Sequence, residues 1–198
     1  MRKYEELKFN IPELTGISKK TIDEHLKLYS GYVKNANTIL EKIEEYAADS
    51  EKHAYALGEI HRRFSFEFNG IRNHEYYFKS LEGGAHPLSA DSKLRKAIEK
   101  EWGSFDMWFA RFKAITLTRG IGWAILYYDK MTDRLVTAWV DEQHLGQLNG
   151  LSFILGVDMW EHSFLFDYVP ADKKKYVEAF FANLNWNVIE ENFKAAVK

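Results

Sequence analysis

The stretch LGVDMWEHSF, residues 155–164, holds four side chains that could do chemistry together: Asp158, Trp160, Glu161 and His162. Asp and His at this spacing can hold a metal ion, and imidazole and carboxylate ligands suit iron, manganese or zinc. Trp160 and Glu161 could then surround the ion. An Asp followed four residues later by a His is also common by chance, so this stretch only raises the hypothesis of a metal site.

Two further histidines extend this hypothesis. Of the seven histidines in the chain, His25 and His74 also have apolar or aromatic neighbours within predicted helices. With His162 and Asp158 they would make a set of three imidazoles and one carboxylate. A single His on an apolar face is more often a hydrogen-bonded core residue than a ligand. The residues alone therefore indicate a possible metal site and leave the alternative of core histidines open.

Two long helices are predicted in the N-terminal half. SKKTIDEHLKLYSGYVKNANTILEKIEEYAAD has Ser18 as its N-cap and an apolar face that includes Ile22, His25 and Tyr32. EKHAYALGEIHRRFSFEFNGIRNHEYYFKSL predicts a second helix, and two consecutive long helices favour an αα-hairpin. The segment 82–92 contains Gly, Pro and Ser and is the predicted linker.

Helices around a small sheet are predicted in the C-terminal half. Two helices are predicted first, separated by a break at Gly103–Ser104. The segment GWAILYYDKMTDRLVTAWVDE predicts two strands around a turn, and FILGVDMW predicts a third strand. DKKKYVEAFFANLNW and NVIEENFKAAVK predict closing helices. We therefore expect an α+β fold: an N-terminal helical hairpin domain over residues 1–87, and a C-terminal α/β domain over residues 88–198 with a three-stranded antiparallel sheet.

Composition narrows the functional classes. Hydrophobic residues make up 46% of the 198 residues and aromatic residues 16%, which is typical of a globular protein with a sizeable core. A net charge of −2 gives no reason to expect a nucleic-acid or membrane partner. Zero cysteines exclude disulfides, thiolate metal sites and a cysteine nucleophile. The sequence lacks an apolar signal core, so we expect a cytoplasmic protein.

Five segments, from about Ser18 to the C-terminus, resemble the iron/manganese superoxide dismutase family. ILGVDMWEHSF resembles the D-x-W-E-H motif, and YVEAFFANLNW is similar to the Y-x-E-A-F-W-x-x-x-N-W segment. FSFEFNGIRNHEYYF is similar to the segment carrying the second metal ligand, GIGWAIL to the G-x-G-W-x-W-L strand, and GYVKNANTILEKIE to the Y-V-x-x-x-N stretch. The resemblance implies a helical hairpin followed by an α/β part, which agrees with the elements predicted above.

The resemblance also implies one manganese or iron ion per subunit, held by three His and one Asp together with a solvent molecule. Carried over by motif, three ligands are His74, Asp158 and His162. For the first ligand two counts differ: His25 lies seven residues after the N-cap, whereas Glu24 lies eight residues before the helix tyrosine. A one-residue deletion explains the difference. We take His25 as the ligand, with Glu24 as the alternative.

Candidate catalytic residues follow from the same resemblance. Family members carry a Gln near the metal either four residues before the second-ligand His, where this chain has Gly70, or after the second strand, where Gln143 falls. His144 is the alternative to Gln143 for this role. In the family, a Gly at the first position together with a Gln after the second strand is typical of manganese enzymes, so the resemblance favours manganese. Tyr32 and Gln143 would form a hydrogen-bond network beside the metal.

Departures from the family pattern concern access to the metal and the subunit interface. Tyr29 occupies the position expected for the family's gateway His, and Phe164 occupies that of its Tyr partner across the interface. The usual His–Tyr contact is therefore absent. The resemblance implies a homodimer or a tetramer, with Glu161 paired to His162 of the partner subunit. Lys173 is expected where a channel-mouth Arg usually lies, and could steer the anion.

Superoxide dismutation is the implied function: two superoxide anions yield dioxygen and hydrogen peroxide at a mononuclear manganese or iron site. The altered gate suggests an alternative, a non-dismutase metal-binding or structural protein on the same fold. Metal analysis together with a superoxide-consumption assay separates the two.

Overall fold

The computed structural model describes residues 2–198, and its N-terminal half is the expected helical hairpin. Helix α1 spans Lys19–Ala47 and begins at Ser18, whose side chain accepts a hydrogen bond from the backbone N–H of Thr21. Helix α2 spans Ala54–Lys79 and packs along α1. Each helix buries one face at helical spacing, as an amphipathic sequence requires.

Two shorter helices follow the connection from α2. Helix α3 spans Lys93–Trp102 and α4 spans Phe105–Thr116, with Ser92 and Ser104 as their N-caps. Gly103 between them has a φ of 87°, a left-handed conformation that Gly adopts without strain. The predicted break between two helices is therefore confirmed, and its cause is the conformation of this glycine.

A sheet of three antiparallel strands forms the centre of the C-terminal half. Strand β1 spans Gly122–Asp129, β2 spans Arg134–Asp141 and β3 spans Ser152–Asp158, in the order β2-β1-β3. The register pairs Trp123 of β1 with Asp158 of β3 at one end of the sheet. Strand β3 also packs against α2, so this end of the sheet lies next to the hairpin.

Two helices close the chain, as predicted. Helix α5 spans Lys173–Ala182 and α6 spans Trp186–Ala196, after single 3-10 turns at Glu161–Ser163 and Pro170–Asp172. One hydrophobic core joins residues of the hairpin to residues of the sheet and the later helices. The α+β class is confirmed. Within residues 2–198, no helix combines the length and the apolar character needed to cross a membrane.

Candidate metal centre

Four side chains from separate parts of the chain meet between the hairpin and the sheet. His25 comes from α1, His74 from α2, Asp158 from the end of β3 and His162 from the turn after β3. One atom of each that could bind a metal ion lies within 4.8 Å of such an atom on the other three. We call this set the His–Asp cluster. Three of its side chains are fully buried, whereas 19% of the His162 side chain is exposed.

Helix α1 turns His25, and not Glu24, into the cluster. The Glu24 carboxylate is exposed and accepts a hydrogen bond from Nζ of Lys27 at 2.7 Å. Because α1 is a continuous α-helix, the step from His25 to Tyr32 is close to two full turns, and both side chains lie on the same face. The structure therefore agrees with the count of seven residues from the N-cap Ser18, which selects His25.

Asp158 stands at the centre of the cluster. Its Oδ2 atom lies 3.1 Å from Nε2 of His25 and 3.1 Å from Nε2 of His162. The distance from Oδ2 to Nε2 of His74 is 3.5 Å. The other carboxylate oxygen, Oδ1, accepts a hydrogen bond from the backbone N–H of Trp160 at 2.8 Å. This bond fixes the carboxylate so that one oxygen faces all three imidazoles.

The tautomer of His74 indicates that the cluster is built for a cation. Its Nδ1 lies 2.6 Å from the carbonyl oxygen of Gly70, which can only accept, so Nδ1 carries the proton and Nε2 presents a lone pair. Within the described residues that lone pair has no hydrogen-bond partner, and it faces the Asp158 carboxylate. Two buried electron-rich groups face each other favourably only with a positive ion between them. Three imidazoles and one carboxylate fit iron or manganese.

Protonation states in the cluster also suit a metal ion. Burial lowers the pKa of His25 and lowers the pKa of His74 to about 3, because a buried imidazolium is unfavourable. Burial alone would raise the pKa of Asp158, but the charges and hydrogen bonds of His162 and His25 outweigh it and lower that pKa. At neutral pH, His25 and His74 are therefore neutral and Asp158 is an anion, the forms that bind metal ions.

Gln143 connects the residues that surround the cluster. Its Nε2 donates a hydrogen bond to Oη of Tyr32 at 2.9 Å, and its Oε1 accepts one from Nε1 of Trp123 at 2.7 Å. The rival His144 makes neither contact. The His144 ring packs on Phe66, and its Nδ1 is buried without a hydrogen-bond partner in the described part of the chain. The structure thus brings Gln143, and not His144, to Tyr32.

Tyr32 keeps its hydroxyl proton at neutral pH. Burial, and next the negative charge of Asp158, raise the pKa of Tyr32 well above its ordinary value. The Tyr32 ring lies 5.0 Å from the His74 ring, measured between centroids. Because the Tyr32 oxygen accepts from Gln143, its own O–H is free to donate towards an acceptor beside the cluster.

Three residues that the sequence analysis missed hold this arrangement in place. Nδ2 of Asn73 and Nε2 of Gln147 each donate to the backbone carbonyl of Gln143 at 3.2 Å. Oη of Tyr176 donates to the backbone carbonyl of Asp158 at 2.9 Å. Asn73 and Tyr176 lie inside segments that carry the family resemblance, and that signal could have found them. No comparable signal marks Gln147.

The gate positions expected from the sequence are wrong. Tyr29 is 1% exposed, and its Oη accepts a hydrogen bond from the backbone N–H of Leu7 at 2.9 Å and donates one to Oε1 of Glu75 at 3.3 Å. Position 29 lies about 40° from His25 around the helix and one turn further along it, where the Tyr29 side chain packs towards α2 and the N-terminal segment and does not reach the surface beside the cluster. Phe164 is also buried, and its ring packs on Tyr176.

Two leucines lie at the surface beside His162 instead. Leu28 is 41% exposed and Leu165 is 45% exposed. A surface pocket of about 500 Å³ is lined by Glu24, Lys27, Leu28, His162, Leu165 and Phe166. Lys173 is not part of this lining, and its Nζ donates to the backbone carbonyl of Thr118 at 3.1 Å. The contacts of Lys173 therefore give no support to its expected role in steering the anion.

Known proteins resemble the chain over most of its length. Residues 3–82 match the family model of iron/manganese superoxide dismutases, alpha-hairpin domain, and residues 90–192 match that of the C-terminal domain. Superoxide dismutase (Fe) of Cupriavidus metallidurans is 36% identical over 189 residues, which cover 94% of this chain and 93% of the relative. Superoxide dismutase (Mn) of Mycolicibacterium smegmatis and that of Mycobacterium intracellulare are each 36% identical over 175 residues, covering 87% of this chain and 82% of each relative.

Proposed function

Since this chain belongs to the iron/manganese superoxide dismutase family, we propose that the His–Asp cluster is its metal site and that His25 supplies the first ligand. The protein is a superoxide dismutase that uses iron or manganese. The relatives' names favour this activity over the alternative of a metal-binding or structural protein on the same fold. The lone pair of His74 that faces a buried carboxylate is the observation that supports the ligand assignment most directly.

The bound ion supplies the redox chemistry, because iron and manganese each have a trivalent and a divalent state, which suit oxidation of one superoxide and reduction of another. The side chains prepare the site for both half-reactions. Asp158 places a negative charge at the centre of three imidazoles, which favours a cation of higher charge. Trp123 and Tyr77 are buried around the cluster and keep water away from it.

Proton supply falls to Tyr32 and Gln143 in this proposal. Formation of hydrogen peroxide from superoxide consumes two protons, and Tyr32 holds one on Oη at neutral pH. The hydrogen bond from Nε2 of Gln143 orients that oxygen. Trp123 in turn holds Oε1 of Gln143, so the amide cannot flip without losing a buried hydrogen bond. We assign His144 a packing role against Phe66.

Manganese is the metal that we propose for this site. The amide next to Tyr32 comes from Gln143, after β2, and position 70 carries no side chain. That is the pattern which the sequence resemblance associates with manganese. Protein produced with equal supplies of both metals should contain more manganese than iron. A clear excess of iron would contradict this choice.

Assembly as a homodimer through the surface beside His162 is the next part of the proposal. Glu161 is exposed in the single chain, as are the apolar residues Leu28, Leu165 and Phe166 nearby. Exposed apolar residues grouped around one surface pocket are typical of an interaction site. In a two-fold dimer, Glu161 would pair with His162 of the partner subunit. A mass measurement in solution distinguishes this dimer from a tetramer of two such dimers.

Two further expectations from the sequence stay proposals. We place the domain boundary between residues 87 and 88, in the connection from α2 to α3, which limited proteolysis would test. We also propose a cytoplasmic location, which fractionation of the producing cells would test. Neither is needed for the chemistry of the site.

Product stoichiometry tests the function. The metal-loaded protein should convert two superoxide anions into one dioxygen and one hydrogen peroxide. Production of hydrogen peroxide without dioxygen would indicate a reductase instead. The Asp158→Ala protein is the control, because it removes the carboxylate at the centre of the cluster.

A further inference from the structure

An ion pair on α2 lies close to the open side of the site. Nε of Arg63 donates to Oε1 of Glu67 at 2.9 Å, and the two side chains are 55% and 5% exposed. The other oxygen, Oε2 of Glu67, lies 3.5 Å from Nδ2 of Asn35. A carboxylate buried to this extent is costly unless a cation or several hydrogen bonds compensate its charge. Arg63 is therefore the main partner of this carboxylate.

The guanidinium of Arg63 also packs over the ring of Phe66, which lies at the edge of the site. Its central carbon lies 3.6 Å from the centroid of the Phe66 ring. The Phe66 ring in turn lies 5.9 Å from the ring of Tyr32 and 6.3 Å from that of Trp160. Tyr32 and Trp160 are both partly exposed, as is His162 of the cluster. The pair thus sits beside the part of the site that solvent can reach.

Both charges of the pair lie close to Tyr32. The Phe66 ring contacts the guanidinium of Arg63 and neighbours the ring of Tyr32, so only one side chain separates the pair from Tyr32. An anion that approaches Tyr32 would meet the same two charges. Without Arg63, the carboxylate of Glu67 would repel it.

We propose that Arg63 is a positioning residue for substrate approach: it neutralises Glu67 beside Tyr32 and so removes a repulsive charge from the path of superoxide. This inference rests on the proposed site and goes beyond it, since neither residue belongs to the His–Asp cluster. The chain carries a slight net negative charge, so attraction of an anion depends on local charges of this kind.

Rate constants at two ionic strengths test the proposal. Arg63→Gln should lower the second-order rate constant for superoxide by about threefold to tenfold at low salt. This is smaller than the full effect of electrostatic steering, because only one charge is removed. The deficit should shrink between about 0.01 M and about 0.1 M salt, because the Debye length falls from about 30 Å to about 10 Å. Glu67→Gln should raise the rate constant, and the double variant should return to within about twofold of the wild type.

The double variant separates charge from packing. If Arg63 acts only by holding Phe66, the double variant stays as slow as Arg63→Gln, because both lack the guanidinium. Arg62→Gln is the matched control, since Arg62 is the preceding residue and pairs with Glu59 at the exposed surface of the same helix. It should leave the rate constant and its salt dependence unchanged. If Arg63→Gln does not fold, Glu67→Gln and Arg63→Lys still decide the question, because the first should be faster than the wild type and the second close to it.

Equilibrium binding of azide to the metal-loaded protein provides a readout that is independent of turnover. Azide carries the same charge as superoxide, so its dissociation constant should rise about threefold in Arg63→Gln, fall in Glu67→Gln and recover in the double variant. Wild-type protein that binds azide but does not consume superoxide would refute the proposed function and leave the ion pair testable. Unchanged azide affinity and unchanged rate constants in both single variants would overturn the role of Arg63.

Discussion

The ring of Tyr32 fills the space that a side chain at Gly70 would need. A Cβ atom built on Gly70 would lie 2.4 Å from Cδ1 of Tyr32, closer than real atoms approach. The same glycine accepts the hydrogen bond from Nδ1 of His74 that sets the tautomer of this imidazole. Gly70 therefore holds two parts of the site together, the ring of Tyr32 and the orientation of His74.

Gly70→Ala should displace Tyr32 and lower the rate of superoxide consumption while metal remains bound. Overpacking at a buried position costs about 1–3 kcal/mol, and the unfolding free energy should fall by this order. Gly58→Ala on the same helix is the control: nothing lies within 4 Å of its added Cβ, so helix propensity should stabilise the protein by about 0.5–1 kcal/mol. Equal behaviour of the two variants would refute the close contact with Tyr32.

Gln143→Leu should reduce the rate of superoxide consumption much more than His144→Gln does. Loss of Gln143 removes the hydrogen bond to Tyr32 and leaves the buried Nε1 of Trp123 without its acceptor, at a cost of about 1–3 kcal/mol. His144 contacts the ring of Phe66 and not Tyr32. Steady-state rates and denaturant unfolding of both variants check this, and the opposite order of effects would assign the role to His144.

Much of the fold could be predicted because its signals are local. Ser18 and Gly103 mark helix ends through capping and through a left-handed backbone, and both effects depend on neighbours only a few residues away. The strands around the turn at residues 130–133 are short apolar runs between polar residues. The three ligand residues carried over by motif also meet in the structure, because their motifs fix the elements that present them.

The predictions that failed depend on packing between distant parts of the chain. The burial of Tyr29 depends on its contacts with Leu7 in the N-terminal segment and with Glu75 of α2, which the sequence of α1 alone does not show. The burial of Phe164 depends on α5, which supplies Tyr176. The sequence analysis made no prediction about the ion pair of Arg63 and Glu67, because it has the spacing of any helical pair and only its position beside Phe66 distinguishes it.

Alkaline pH should destabilise the folded protein. Burial raises the pKa of Tyr29 to about 12 and raises those of Tyr32, Tyr77 and Tyr176 above the ordinary value. In the unfolded chain these tyrosines lose their protons near about pH 10, so the unfolded state binds fewer protons above that pH. Stability is therefore complete below about pH 10 and falls above it, by up to about 1.4 kcal/mol per pH unit for each such tyrosine.

In Tyr29→Phe, the unfolding free energy should fall less steeply at alkaline pH. The difference is the contribution of one tyrosine, up to about 1.4 kcal/mol per pH unit. Denaturant unfolding measured at about pH 8 and about pH 11 gives the two free energies that are needed. Tyr55→Phe is the control, since Tyr55 is 85% exposed, and its decline should match that of the wild type. A decline in Tyr29→Phe as steep as that of the wild type would show that Tyr29 loses its proton as readily in the folded protein as in the unfolded chain.

Leu165→Glu should convert the proposed dimer into monomers at micromolar concentration. It places a charge in the apolar surface that Leu28, Leu165 and Phe166 form beside His162, and two-fold symmetry brings two such charges close together. Met131→Glu, in the turn between β1 and β2, is the control, because Met131 is 96% exposed and distant in sequence from that surface. Sedimentation velocity measures the masses. A dimer that survives Leu165→Glu would place the interface elsewhere on the molecule.

Metal content per chain, measured by inductively coupled plasma mass spectrometry on purified variants, tests the central claim most directly. The account predicts close to one manganese or iron ion per chain in the wild type and in Glu24→Ala, because Glu24 faces solvent. His25→Ala and Asp158→Ala should lose most of the metal, since both side chains belong to the His–Asp cluster. Full metal content in Asp158→Ala, or loss of metal in Glu24→Ala with retention in His25→Ala, would contradict the assignment of the site.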